Sequence, residues 1–459
     1  MTGVKKAVLS ALVFSFVCCT SVSAEEVSLQ EAIRQLQRRI EALEKKVSEQ
    51  DKYIATQNTT AQAQQQKITE YETKLSQFEE NLHRVPGAPM RLMEGLELGA
   101  GVTMIIQGTN NVNNAASDVQ KKKSRTDGSY SGDITLAKEF QEFSGRAFLH
   151  LEGGQGNGLE DDLTLYSNVN RDVDDEQNVH LTELWYEQGL FRDKAVVTFG
   201  KLDPTAYFDV NEVANNETTQ FLGRIFRNSP VVEFPDNTAG IRFAYMPKEG
   251  FELSCGLFNG NSEHWEKMFD SLFNIGEVRL QTDFFNLPGN YRFLGWNNNV
   301  YHTRWLDDAK TKEAAYGFGL SFDQKVSDIV TAFLRYGWQN PESYNPDITA
   351  TGGLNYSLEQ SWSAGLQLEG RPWGREKDVL AFAVGQIFPS GDYKRAGESS
   401  DPAIRAEAEG HFEAYYRIHL NDHLSISPDF QYIWNPFGKD VADDTGGIFV
   451  GGMRAQVDF

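Results

Sequence analysis

The 459-residue chain contains little cysteine, little proline and little positive charge. Cys18 and Cys19 lie in the N-terminal apolar segment, so a mature chain would keep Cys255 alone and could form no internal disulfide. A helical membrane protein needs apolar runs of about 20 residues, and no such run occurs after residue 25. The formal net charge is −22. Because an acidic surface repels phosphates, no nucleic-acid partner is expected.

The N-terminus is organised like a secretory signal peptide. Lys5 and Lys6 precede an apolar run over residues 7–17, and small residues follow as far as Ala24. The apolar run is too short for a membrane anchor. We therefore predict a signal peptide over residues 1–24, with cleavage after Ala24.

A heptad pattern follows, and it predicts a coiled coil over residues 25–84. Apolar residues recur at alternating steps of three and four, a period that specifies a partner helix rather than a lone amphipathic helix lying on a membrane. The seam residues are Leu29, Ile33, Leu36, Ile40, Leu43, Val47, Ile54, Ala61, Ile68, Tyr71, Leu75, Phe78 and Leu82. Residues 39–44 resemble a trimer-forming pattern, although the seam also suits a parallel dimer.

The coiled coil is expected to end at a short linker. Pro86, Gly87 and Pro89 interrupt the helix, so residues 85–95 are predicted to be a linker. At 1.5 Å per residue the helix would be about 80 Å long. A helix of that length in an exported protein would project into the periplasm, where it could contact peptidoglycan.

Residues 96–459 are predicted to form a transmembrane β-barrel. In the segment 330–338 every second residue is apolar and the face ends in aromatic side chains, whereas Thr331 and Arg335 lie on the opposite face. This alternation is typical of strands that face lipid on one side and a polar lumen on the other. Candidate strands lie at 96–108, 131–140, 143–154, 178–190, 194–203, 239–247, 251–259, 274–285, 289–301, 315–325, 329–338, 361–370, 378–388, 410–420, 424–435 and 449–459. An even count of sixteen suits a closed all-β antiparallel barrel.

The predicted connections alternate in length. Tight turns such as residues 247–250 and 421–423 alternate with long loops at 109–130, 155–177, 204–238, 339–360 and 389–409, as in outer-membrane barrels. The final strand ends on Phe459, and its alternation resembles the signal read by outer-membrane assembly machinery. These features predict an outer-membrane location and contact with outer-membrane lipids.

Four short runs in one region resemble the OprB family of carbohydrate-selective porins. They are HLTELWYEQG at 180–189, VTFGKLDP at 197–204, YFDVNE at 207–212 and NNETTQFL at 215–222. The resemblance implies a sixteen-stranded barrel that passes sugars passively across the outer membrane. The coiled coil lies outside the family's barrel core.

Candidate pore residues fall in two groups. The third long loop, 204–238, is the longest, and such a loop usually folds inward to narrow the channel; it carries Asp209, Glu212, Arg224 and Arg227. The second group follows from strand alternation, which points these side chains inward: Arg146, Glu152, Glu183, Trp185, Arg242, Arg279, Arg335 and Arg417. Mixed charges around a lumen order water and admit polar neutral solutes.

Other functions find weaker support in the sequence. The glycine-rich stretch 153–158 opens no helix, so it is interpreted as a loop rather than a phosphate cradle. The histidines show no metal-ligand spacing, and no nucleophile is placed beside a base. We therefore expect no enzyme activity and no cofactor. The predicted function is passive diffusion of carbohydrates and small hydrophilic solutes through a homotrimer; the alternative is a general, cation-preferring porin whose coiled coil tethers the outer membrane to the cell wall.

Overall fold

The computed structural model describes residues 95–114, 124–172, 178–261, 265, 267, 270–284, 286–350, 353–398, 404–440 and 446–459, with eight separate positions between 45 and 69. The chain divides into two compact units, Met1–Met93 and Glu94–Phe459. In the first unit, all eight described positions are helical. The predicted signal peptide, most of the predicted coiled coil and all of the linker except Gly95 lie outside the described residues.

The second unit is a closed antiparallel barrel. Its wall, within the described residues, consists of sixteen long strands: β1 Leu96–Thr109, β2 Arg125–Phe140, β3 Gly145–Gln155, β4 His180–Leu190, β5 Ala195–Leu202, β6 Thr238–Lys248, β7 Phe251–Asn259, β8 Leu272–Phe284, β9 Leu287–Arg304, β10 Glu313–Ser327, β11 Val330–Gln339, β12 Leu358–Glu369, β13 Val379–Pro389, β14 Glu409–Asn421, β15 Leu424–Trp434 and β16 Ile448–Asp458. Each strand pairs with the next, and β1 closes the barrel by pairing with β16 from Gly101↔Asp458 to Thr109↔Val450. The predicted sixteen-stranded barrel is therefore confirmed.

Strand alternation divides the barrel into an apolar outer face and a mixed inner face. The cross-strand pairs Met104↔Tyr130 and Phe382↔Ala414 point outward, and Met104, Tyr130 and Phe382 are all largely exposed in the isolated chain. Thr103, the neighbour of Met104 in sequence, points inward and is buried. Because successive side chains of a strand point to opposite faces, the strand register determines which residues of the next strand face inward and which face outward. The outer face matches the lipid-facing surface expected of a membrane barrel.

The connections differ at the two ends of the barrel. The short-turn end has the connections 141–144, 191–194, 249–250, 285–286, 328–329, 370–378 and 422–423. The long-loop end has 110–124, 156–179, 203–237, 260–271, 305–312, 340–357, 390–408 and 435–447. The predicted alternation of tight turns and long loops is therefore observed.

Short elements lie within these connections. The helices are α1 Arg224–Arg227 and α2 Gly391–Gly397, with 3-10 turns at Gln141–Phe143, Pro204–Ala206, Arg371–Trp373 and Pro436–Lys439. Two-residue strands occur at Ser343–Tyr344, Thr349–Ala350 and Leu354–Asn355. Among the described residues, no helix combines the length and the apolar character that a membrane span requires.

Most of the buried apolar side chains lie inside the barrel, between its wall and the loop 203–237, which we call loop 3. A smaller cluster joins the loop 156–179 to β15 and β16. One cluster joins loop 3 to β11–β14 and includes Phe221, Phe226, Phe333, Ala381 and Tyr415. A second joins loop 3 to β7–β9 and includes Phe208, Val232, Phe258, Phe273 and Trp296. Burial of this apolar surface, at roughly 25 cal/mol per Å², holds loop 3 inside the barrel.

Candidate functional site in the barrel lumen

Loop 3 leaves the wall after β5 and crosses the lumen. Its start is fixed by Asp203, whose carboxylate accepts the backbone N–H of Thr205 at 2.8 Å. Farther along, the Asn211 amide donates to Ser321 Oγ at 3.2 Å, and the Glu212 backbone N–H donates to the Asp323 carboxylate at 3.3 Å. Ser321 and Asp323 lie on β10, which is not a neighbour of β5 or β6 in the sheet. The loop therefore spans the interior of the barrel.

A buried ion pair fixes the middle of loop 3 to the wall. Arg335 on β11 bonds Asp209 with 3.0 Å between Nε and Oδ1, and these side chains are 1% and 0% exposed. The same guanidinium donates to the carbonyl oxygens of Phe226 at 2.7 Å, Asp209 at 2.9 Å and Ala214 at 3.1 Å. Asp209 also accepts the Ser229 backbone N–H at 2.6 Å. Arg335 thus holds three separate stretches of loop 3 together.

The far side of loop 3 is held by β14 and β16. The Glu413 carboxylate accepts the backbone N–H groups of Leu222 at 2.6 Å and Gly223 at 2.9 Å. A Cβ atom at position 223 would come within 2.9 Å of the Glu413 carboxylate, so a larger residue there would displace this carboxylate. On β16, Arg454 donates to the carbonyl oxygens of Glu217 at 2.6 Å and Gln220 at 2.7 Å. Loop 3 is therefore anchored to β10, β11, β14 and β16.

In the loop 156–179, which we call loop 2, the described residues 156–172 also fold into the lumen. The buried Glu409 carboxylate accepts the backbone N–H groups of Tyr166 at 3.0 Å and Ser167 at 2.7 Å. Gln107 on β1 and Gln431 on β15 both donate to the Val169 carbonyl, at 3.0 and 2.8 Å. Sequence reasoning did not predict this inward fold, because the contacts join residues far apart in the chain.

The wall formed by β3, β4 and β6–β8 remains partly exposed on its inner face, although loop 3 covers the long-loop halves of β7 and β8. Arg146, Glu183, Trp185 and Arg242 all point inward there and keep part of their surface exposed. By contrast, inward residues of β10–β14 such as Ser321 and Glu413 are fully buried. Because loops 2 and 3 cover the opposite wall, the accessible part of the lumen borders β3, β4 and β6–β8.

Charged groups of both signs cover this accessible wall. Arg242 bonds Glu252 at 3.0 Å and lies 4.0 Å from Glu187. Arg279 on β8 reaches Glu252 at 3.5 Å and is 41% exposed. Tyr207 of loop 3 stacks on Arg242, with 4.8 Å between the guanidinium carbon and the ring centroid. The result is a polar wall with paired charges, suited to hydrogen-bonding solutes.

An aromatic pair lies on the same wall. Phe148 and Trp185 stack with 4.9 Å between their ring centroids, and the indole N–H donates to the Glu183 carboxylate at 3.0 Å. Glu183 is only 13% exposed. A flat apolar face next to a carboxylate is an arrangement that suits a sugar ring, because it offers a surface for the C–H face and acceptors for the hydroxyls.

The tip of loop 3 carries a second group of charges. Arg227 bonds Glu217 at 2.7 Å and lies 3.6 Å from Asp203. Burial alone would raise the pKa of Glu217, but Arg227 and Arg171 outweigh it and lower that pKa below its usual value. Burial lowers the pKa of Arg224, and the neighbouring Arg171 lowers it further. The tip therefore carries two arginines, of which Arg227 is paired with Glu217 and Asp203.

The structure places the predicted pore residues in different settings. Asp209 and Arg335 have almost no exposed surface, so they hold loop 3 and cannot contact a passing solute. Glu212 is exposed on loop 3, and Arg417 on β14 is half-buried, with one nitrogen 3.5 Å from the Thr219 carbonyl. The remaining predicted residues are at least partly exposed and face the lumen or form the loop 3 tip: Arg146, Glu152, Glu183, Trp185, Arg224, Arg227, Arg242 and Arg279. Solute contact by these residues stays a prediction.

Comparison with known proteins identifies the same architecture. The family model of the carbohydrate-selective porins, OprB family, matches residues 146–459. An uncharacterized protein of Aquifex aeolicus is 25% identical over 289 residues, 63% of this chain and 72% of that protein. Porin B of Pseudomonas aeruginosa is 23% identical over 330 residues, 62% of this chain and 69% of that protein.

The fold is shared with a solved porin. The high-pH structure of Pseudomonas putida OprB superposes with a TM-score of 0.67 at 17% identity, covering 82% of this chain and 96% of that chain. Porins are outer-membrane channels and not enzymes, which agrees with the barrel and its narrowed lumen. The chain belongs to the OprB family of carbohydrate-selective porins.

Proposed function

We propose that this porin passes carbohydrates and other small hydrophilic solutes by passive diffusion along the wall formed by β3, β4 and β6–β8. The observation that carries the proposal is the Phe148–Trp185 stack beside the Glu183 carboxylate. A sugar can slide over the aromatic face while its hydroxyls exchange hydrogen bonds with the charged groups. No energy source or covalent step is involved.

The pore-lining residues in this proposal are those with surface available to a solute. They are Arg146, Glu152, Glu183, Trp185, Glu212, Arg224, Arg227, Arg242, Arg279 and Arg417. Asp209 and Arg335 act indirectly, by keeping loop 3 docked. A neutral solute is favoured because acidic and basic side chains alternate around the same space, so neither ion sign gains a strong advantage.

Liposome swelling tests solute preference directly. Proteoliposomes that contain the full mature chain should swell faster in neutral mono- and disaccharides than in charged amino acids of similar size. Equal rates for all solutes of one size would instead favour a general porin. The formal net charge of −22 would then predict a preference for cations at the channel mouth.

The N-terminal heptads support a further part of this proposal. We propose that residues 25–84 form a periplasmic three-helix coiled coil that joins three barrels, and that it can contact peptidoglycan. Deletion of residues 25–85 should leave single channels open but convert three-step closures into independent single steps. If the coiled coil also tethers the outer membrane, the same deletion should weaken envelope integrity without reducing conductance.

A further inference from the structure

Three side chains that can bind a metal ion converge on the accessible wall. Asp133 comes from β2, whereas His150 and Glu152 come from β3, and one ligand atom of each lies within 4.8 Å of the other two. His150 Nε2 is 2.7 Å from the Asp133 carboxylate. Glu152 is directly paired with Asp133 across the two strands. All three side chains point inward and are partly exposed, so ions in the lumen can reach them.

The second nitrogen of His150 also faces a carboxylate. Glu183, which lies opposite His150 on β4, places its Oε1 at 3.7 Å from Nδ1. Metal-binding histidines commonly use one ring nitrogen for the metal and donate the other N–H to a carboxylate. In this cluster Nε2 points toward Asp133, while Nδ1 points toward Glu183. The arrangement therefore has both the inner ligands and the outer carboxylate of such a site.

This cluster differs from an ordinary ion pair in its net charge. Asp133, Glu152 and Glu183 together carry three negative charges, whereas a protonated His150 supplies one positive charge. A local excess of negative charge is stabilised by a dication more effectively than by a single imidazolium.

We propose that Asp133, His150 and Glu152 form a binding site for a transition-metal dication, with Zn²⁺ as the best match, and that Glu183 orients the imidazole. One nitrogen and two carboxylate oxygens, with water completing the shell, suit Zn²⁺ better than Mg²⁺ or Ca²⁺, which prefer oxygen ligands alone. Bound Zn²⁺ would add positive charge to the channel wall and weaken its attraction for cations. The proposal does not depend on carbohydrate passage.

Isothermal titration of the untagged full-length mature protein in detergent with ZnCl₂ tests the site. We expect one saturable Zn²⁺ site per chain. His150→Gln and, separately, Glu152→Gln should each weaken binding at least tenfold. His423→Gln is the matched control, because His423 lies in the turn 422–423, where its ring contacts the Asp458 carbonyl at 2.8 Å. That variant should bind Zn²⁺ like the unchanged protein.

Two results would overturn the proposal: no saturable heat with the unchanged protein, or the same affinity in His150→Gln and His423→Gln. Heat-modifiable migration in gel electrophoresis verifies that each variant is a folded barrel. If His150→Gln does not fold, Glu152→Gln still tests the site, because it preserves the side-chain shape. A second readout is the reversal potential in asymmetric KCl. Zn²⁺ should shift it toward anion selectivity in the unchanged protein and leave it constant in Glu152→Gln.

Discussion

The buried Asp209–Arg335 pair makes a sharp prediction about the channel's width. Arg335→Ala leaves the Asp209 carboxylate buried without its guanidinium. It also removes the donors that reach the carbonyl oxygens of Phe226, Asp209 and Ala214. Breaking a buried pair by removing one partner costs about 3–5 kcal/mol. The ratio of docked to released loop 3 should therefore fall by roughly two to three and a half powers of ten.

Single-channel recording in planar bilayers measures this change. Arg335→Ala should show a larger mean conductance and more open-channel noise, because loop 3 no longer stays against β11. The double variant Asp209→Ala with Arg335→Ala leaves no unpaired charge, so it should cost less than the sum of the single variants. Arg371→Ala is the control, since this arginine lies in the short turn Arg371–Trp373, is 47% exposed and pairs with Glu369.

The reasoning fails if Arg335→Ala and Asp209→Ala keep the conductance and noise of the unchanged channel. That result would mean that Glu413, Arg454 and the aromatic clusters hold loop 3 without the ion pair. A change in ion selectivity alone, with constant conductance, would also contradict the anchoring role, because it would assign Arg335 to the pore surface.

Three further predictions concern the wall, loop 2 and the outer face. Trp185→Ala should weaken sugar block about two- to tenfold, the equivalent of ~0.5–1.5 kcal/mol for a stacked aromatic contact, whereas Trp373→Ala in a short turn should leave it unchanged. Burial raises the pKa of Glu160 to about 7. The stabilising effect of Glu160 on loop 2 is therefore complete below the ordinary pKa of a glutamate and is lost as the pH rises through 7. The rate of tryptic cleavage after Arg171, divided by the rate in Glu160→Gln at the same pH, should increase over that range. Cys255 points to the outer face. A membrane-impermeant maleimide should therefore label it in detergent and fail to label it in liposomes. Fast labelling in liposomes would contradict the assignment of Cys255 to the lipid-facing side of its strand.

The alternation of apolar and polar residues was sufficient to predict the barrel. Lipid on one side and water on the other impose this two-residue period on the sequence of every strand. Residues 330–338 show this, since their apolar face is the observed outer face of β11. Strand ends were less predictable. β2 begins at Arg125 rather than 131, because its polar first residues pair with the end of β1 through Thr109↔Arg125.

The interior was harder to predict for a physical reason. Asp209 and Arg335 are 126 residues apart, so the sequence identifies two charged residues but not their mutual burial. The inward fold of loop 2 depends on Glu409, which is 243 residues from Tyr166 in sequence. The Asp133–His150–Glu152 cluster shows no metal-ligand spacing along the chain, because pairing of β2 with β3 brings its members together.

The most direct test of the account is single-channel conductance of the purified protein in a planar bilayer, titrated with neutral mono- and disaccharides and repeated in asymmetric salt. The account predicts that sugar closes the channel in a saturable manner, in three equal steps, and that Trp185→Ala weakens this block. A steady current that sugar does not affect, with a cation-selective reversal potential, would contradict a carbohydrate path along β3, β4 and β6–β8.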